Sequence, residues 1–244
     1  MLKRNTYIGI LCFIPFFIFC QTHKKTGAPK NVYMRVLAGP VIGFYNNNNF
    51  HTSNTRPGTA FFAGVLEEAR VTDKFYLSAG LEYQYYAMAF NSYYMAPGYQ
   101  YLYNQKFDYN YSLATQEGRL NLLMRLTSGT ELTKPYTAYI EGGYVLRCLL
   151  NTHMKVTSNL NNDVLFNGTT NPNFDGKVLN NNFSAGLKVN VGIQHNFLRS
   201  HRAWFIQLSY MQGLASFLIH ENFTPASLYI KSSFIQLGLG FKFN

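Results

Sequence analysis

The carboxyl-terminal stretch constrains the fold more than any other part of this chain. Ser233, Ile235, Leu237, Leu239, Phe241 and Phe243 fall on one face of a strand, and Gln236, Gly238, Gly240 and Lys242 fall on the other. A period of two that runs up to an aromatic near the chain end predicts the closing strand of a transmembrane β-barrel. Leu239, Phe241 and Phe243 are then the expected signal for barrel-assembly machinery.

Composition points the same way. Of 244 residues, 47% are hydrophobic and only 13% charged, yet mean hydropathy is −0.11. A helical membrane protein needs runs of about 20 apolar residues, and this chain has none. Its apolar residues are dispersed, with 19 Tyr and 21 Phe. Alternating strands with interfacial aromatic girdles account for that combination.

The amino terminus reads as a secretory signal over residues 1–20, with Lys3 and Arg4 ahead of an apolar stretch interrupted by Pro15. That stretch is too short to span a bilayer, so its removal is expected. A periplasmic tail over residues 21–31 and a barrel over 32–244 complete the expected layout. Cys20 is a weak lipidation candidate, because Phe19 stands where a small residue is needed. With Cys12 and Cys20 lost, Cys148 remains and no intrachain disulfide forms. The formal charge of +10 would suit nucleic acid in a soluble protein. In an exported barrel it suits anionic lipid headgroups instead, so outer-membrane lipids are the expected partner and nucleic acid is not.

Eight strands are predicted, over about 32–45, 59–71, 75–89, 109–126, 135–149, 182–196, 203–217 and 232–243. Each exceeds the roughly 9–11 residues a tilted strand needs to cross a bilayer. Short turns at 72–74, 127–134 and 197–202 alternate with long polar connections at 46–58, 90–108, 150–181 and 218–231. The expected fold is all-β, an eight-stranded antiparallel up-and-down transmembrane barrel with short periplasmic turns and long extracellular loops. A soluble lipocalin-type barrel would carry many charges outside. Here one face of each strand is almost free of charge, which favours the membrane barrel. Glu67 is the misfit: its phase points it at lipid, and a bulge or a place near the rim would explain it.

The other face holds Glu82, Glu117, Arg119, Arg125, Glu141, Arg147 and Lys188. An eight-stranded barrel has room inside only for side chains. Buried charges must be paired, so these seven are expected to plug the lumen as an ionic network. Glu82, Arg119, Glu141 and Lys188 lie on four successive strands at similar distances from their turns, and are expected at similar height, subject to shear. An acid–base carboxylate pair is the alternative; it needs one carboxyl kept from pairing, and every Glu here has a cation within reach.

No catalytic group, cofactor or metal ligand set is expected. The histidines are scattered, and His51 with Ser53 has no acid close behind it. Tyr93, Tyr94, Tyr99, Tyr101 and Tyr103 crowd one long connection, where they serve either as an outer girdle or for recognition.

The mature chain resembles the PorT-like outer-membrane β-barrel family in four segments: VLAGPVIG at 36–43, GVLEEARVTDKFYLSAGLEY at 64–83, PYTAYIEGGY at 135–144 and GLGFKF at 238–243. The resemblance implies an eight-stranded barrel with a signal peptide. Some members of that family are implicated in protein secretion across the outer membrane, so a secretion machine joins a surface ligand among the expected partners. A non-enzymatic envelope or surface-interaction role through the loops is the first expectation, and a secretion accessory the second.

Overall fold

The computed structural model describes residues 32–47, 52–94, 107–129, 134–158, 174–177, 179–180, 183–197, 202–214, 217–220 and 228–243. They form eleven strands: β1 (Val32–Asn47), β2 (Thr52–Arg70), β3 (Phe75–Tyr94), β4 (Phe107–Thr127), β5 (Tyr136–Ser158), β6 (Phe174–Lys177), β7 (Leu179–Asn180), β8 (Phe183–Phe197), β9 (Arg202–Gly213), β10 (Phe217–His220) and β11 (Leu228–Phe243). Eight of these make a wall in the order β1-β2-β3-β4-β5-β8-β9-β11. It closes where β11 pairs back onto β1, from Met34 opposite Phe243 to Asn47 opposite Ile230. Every pairing is antiparallel, and closure leaves the wall no edge along that seam.

The polarity of the wall is inverted relative to a protein folded in water. Leu122, Met124, Ile140, Leu146, Val189, Val191, Leu208, Leu237 and Leu239 are large, apolar and exposed. Buried inside are Arg, Lys, Glu, Gln and Asn, interleaved with Leu37, Phe62, Leu66, Val145, Phe205 and Phe234. Such a surface is stable only where hydrocarbon covers it.

The β2–β3 turn shows how local chemistry sets the strand ends. The Thr72 hydroxyl accepts from the backbone N–H of Phe75 at 3.1 Å, while the N–H groups of Val71 and Thr72 donate to the Phe75 carbonyl at 2.9 and 3.1 Å. A hydroxyl that mimics a backbone acceptor is what lets Thr hold so short a turn. Glu67 lies three residues before the end of β2, facing outward and half-buried, with an unbroken ladder around it. Its place near the rim, rather than a bulge, resolves the misfit.

Several strand limits differ from those read in the sequence. β2 begins at Thr52, β3 runs to Tyr94, and β5 extends to Ser158. Much of the sequence assigned to loops therefore continues the wall as paired strand. β3 and β4 stay in register up to Tyr94 opposite Phe107, and β4 and β5 up to Tyr109 opposite Ser158. Above the apolar band the outer face becomes polar, with Asn110, Ser112, His153 and Lys155 exposed. Backbone pairing goes on there without the apolar signal that marks a strand in lipid. The seventh predicted strand is also shorter: β9 stops at Gly213, and Phe217 belongs to β10, which pairs with the start of β11.

One irregularity matters for the lumen. The β4–β5 register slips between Gln116, opposite Asn151, and Glu117, opposite Leu149. Leu150 is the extra residue, a β-bulge. Below it the odd-numbered residues of β5 face inward (Glu141, Val145, Arg147, Leu149), and above it the even-numbered ones do (Thr152, Met154).

Candidate functional site

Inside the wall the charged residues form two layers. The layer nearer the short turns is built on Glu68 and Glu141. Glu68 accepts from Arg125 at 2.7 Å, from Arg35 at 3.2 Å and from Lys242. Glu141 accepts from Arg35 at 2.8 Å, Asn190 at 2.8 Å and Ser78 at 3.2 Å. Arg35 reaches on to Gln207 at 3.1 Å, and Arg125 to Gln194. These residues are drawn from strands all round the wall, because the side chain pointing in at every second residue brings distant segments together across a narrow interior.

The layer nearer the loops is built on Glu82 and Glu117. Arg147 grips Glu117 with two bonds, Nε at 2.6 Å and Nη2 at 2.8 Å, the paired geometry that a planar guanidinium allows. Arg119 bridges the two carboxylates, donating to Glu117 at 2.7 Å and Glu82 at 2.9 Å. Lys188 closes on Glu82 at 2.6 Å, and Gln236 donates to Glu82 and to Gln84, both at 2.9 Å.

All seven charged residues singled out in the sequence are therefore buried inside the barrel, divided between the layers. Of the four residues expected at similar height, Glu82, Arg119 and Lys188 share the loop-side layer, whereas Glu141 belongs to the other. Lys188 and Asn190 are successive inward residues of β8, yet Lys188 binds Glu82 in one layer and Asn190 binds Glu141 in the other. Strand stagger moves Glu141 a level toward the turns, despite a similar count from its own turn. Sequence reasoning missed Arg35 and Glu68 and left Lys242 out of the network. The signal was present: the phase that puts Glu67 outside puts Glu68 inside.

Aromatic rings fill the space between ions. The Arg125 guanidinium sits 4.0 Å from the Tyr139 ring centre and that of Arg35 4.8 Å from Phe205, distances at which the cation meets the negative ring face. Each ring lies over a glycine directly opposite it: Tyr139 over Gly192 and Phe205 over Gly240. A Cβ at either glycine would run into the ring. The glycines thus let large rings lie flat against the neighbouring strand.

This arrangement offers little to catalysis. Each buried carboxylate is held by at least two cations or by a cation and neutral donors, and no group of three His, Cys, Asp or Glu near enough to hold a metal occurs among the described residues. Asn121 is fully buried and neither amide atom has a hydrogen-bond partner among the described residues. Leu239 and Phe241 face outward and exposed, and Phe243 stacks on Phe241 at 6.3 Å. Tyr93 and Tyr94 end β3, where the described structure stops short of their side chains. Tyr99, Tyr101 and Tyr103, the signal region, the 21–31 tail, Cys20 and His51 lie outside the described residues.

No family model and no curated protein matches this chain. Among solved structures it is similar to the outer membrane protein OprG from Pseudomonas aeruginosa, at 12% identity and TM-score 0.44, covering 87% of this chain and 96% of that one. A major outer membrane protein from Thermus thermophilus matches at 13% identity and TM-score 0.41, covering 87% and 99%. The outer membrane protease OmpT from Escherichia coli matches at 8% identity and TM-score 0.36, covering 91% and 99%. The eight-stranded antiparallel barrel is established by the closed strand register itself.

Proposed function

We propose that this chain is a non-enzymatic integral outer-membrane β-barrel that works through its surfaces and not through its lumen, in an envelope structural or surface-interaction role. One observation carries the reading: apolar side chains face out while paired charges and rings fill the interior. A lumen so filled acts as a strut. The polar surfaces left for a partner are the wall extensions of β3, β4 and β5 and the connections they support.

The test is to replace residues 95–106 and 159–173 with short turns in the full-length protein and compare surface binding of intact cells with that of the parent. Binding that survives both replacements overturns the loop reading. The competing role, an accessory of protein secretion, is supported by the PorT-like resemblance alone. It predicts that deleting the gene traps exported cargo in the periplasm, which quantitative proteomics of the secreted and periplasmic fractions would show.

A further inference from the structure

The lumen holds more positive charge than negative. Its turn-side layer sets Arg35, Arg125 and Lys242 against Glu68 and Glu141, and its loop-side layer sets Arg119, Arg147 and Lys188 against Glu82 and Glu117. Among the described residues, each layer therefore carries one cation in surplus. A guanidinium cannot shed its proton, and a charge sealed from water without a counter-charge is strongly destabilising. In the loop-side layer the surplus can be located. Glu117 is matched by the two-bond grip of Arg147, so Arg119 and Lys188 are left to share the one carboxylate of Glu82.

Beside that trio stands a polar side chain with nothing on the wall to bond to. Asn121 is the inward residue next to Arg119 on β4, fully buried, and neither its Nδ2 nor its Oδ1 has a hydrogen-bond partner among the described residues. Its neighbours explain why. Opposite it are Gly80, which has no side chain, and Val145, which has no polar side-chain atom, and the next inward residue toward the turns is Leu123. Arg119 spends Nε on Glu117 and Nη1 on Glu82, and its buried Nη2 also lacks a partner among the described residues. A fully buried amide is rarely left without a bond. Water satisfies an amide but leaves the charge. A small anion accepts from the amide and from the guanidinium, and cancels the surplus as well.

We propose that the lumen binds one halide ion, such as chloride, between Nδ2 of Asn121 and Nη2 of Arg119, as the counter-ion of the Glu82–Arg119–Lys188 trio. The trio's surplus of a single charge calls for a monovalent ion. An eight-stranded wall has room inside only for side chains, so it admits a single atom and not a phosphate or a free carboxylic acid. The ion is taken up as the barrel closes and completes the strut.

The full-length protein is refolded from urea into lipid vesicles in sodium chloride or in sodium gluconate at equal ionic strength. Its folding equilibrium constant should be about tenfold larger in about 0.2 M chloride, the mass-action gain of a site with a Kd of about 20 mM. Asn121→Asp puts a fixed carboxylate beside Arg119 and should remove the preference, leaving equal stability in the two salts. Lys74→Gln, at the exposed β2–β3 turn, should keep it. Equal stability of the parent protein in both salts, the outcome if water alone holds the amide, overturns the site. A preference that survives Asn121→Asp overturns it too. If Asn121→Asp does not fold, the parent protein refolded in sodium bromide and crystallised decides. An anomalous peak within hydrogen-bond distance of Asn121 and Arg119 upholds the site, whereas bromide on the outer surface alone, an adventitious ion only, overturns it.

Discussion

The two faces of β8 have opposite chemistries on one backbone. Lys188, Asn190, Gln194 and Asn196 are buried, while Leu187, Val189, Val191 and Ile193 are 42% to 59% exposed. In water that exposure would cost several kcal/mol per strand; against hydrocarbon it costs nothing. The difference shows where stability resides. Apolar side chains in lipid gain little by facing inward or outward, so the closed ladder of backbone hydrogen bonds and the polar interior must hold the fold. The outer face only has to stay uncharged, whereas the inner face has to keep its charges matched.

That contrast can be broken from either side. The largest effect is expected inside. Glu68→Ala strips three cations of their shared carboxylate and should destabilise the barrel by about 3–5 kcal/mol, read from urea unfolding in lipid vesicles. Little change there would mean that the turn-side layer is hydrated and not sealed. Placing a charge outside comes next. Val191→Arg should cost about 2–4 kcal/mol by the same titration if Val191 lies near the bilayer midplane, with a smaller penalty for Phe183→Arg toward the loop side. Equal penalties at both positions would mean that Phe183 lies no nearer the bilayer interface than Val191.

Gly240→Val tests the ring packing. It crowds Phe205 and the Val36 carbonyl, and an overpacking cost of about 1–3 kcal/mol is expected. Combining it with Phe205→Ala should recover part of the loss, which a thermal shift of the heat-modifiable band on a gel would report. The smallest effect belongs to the solvent. Asp73→Asn removes the partner of Arg70 at an exposed turn and should change stability by about 0–1 kcal/mol, an effect that added salt erases.

Lipid explains what the sequence discloses and what it conceals. Where hydrocarbon covers one face, alternation has to be strict, and residues such as Leu187, Val189, Val191 and Ile193 announce the strand. Above the band, His153 and Lys155 face water and a polar interior edge is tolerated, so the upper third of β5 carries no such pattern and its pairing is visible only in the structure. Inside the lumen, phase alone identifies which residues point in. It does not identify which ones meet, because the meeting of Glu141 with Arg35 depends on stagger between strands that are far apart in the chain. Arg35 is the least legible: it sits among Tyr33 and Leu37, and a lone inward cation on a mostly apolar face gives no hint of the two carboxylates it bridges.

The bulge at Leu150 works as a parity bit for β5. Every residue before it is read in one phase and every residue after it in the other, so the two halves of the strand are written in different frames. Deleting Leu150 would remove the bulge and leave Thr152 and Met154 inside, because strict alternation from Leu149 then reaches them in the native phase; straightening the strand with Leu150 kept would instead rotate the whole upper half. Met154 would turn out to water, while His153 and Lys155 would turn into the interior. In this wall a bulge gained or lost at constant length is a change of meaning for everything downstream of it, up to the next turn where the frame is set afresh.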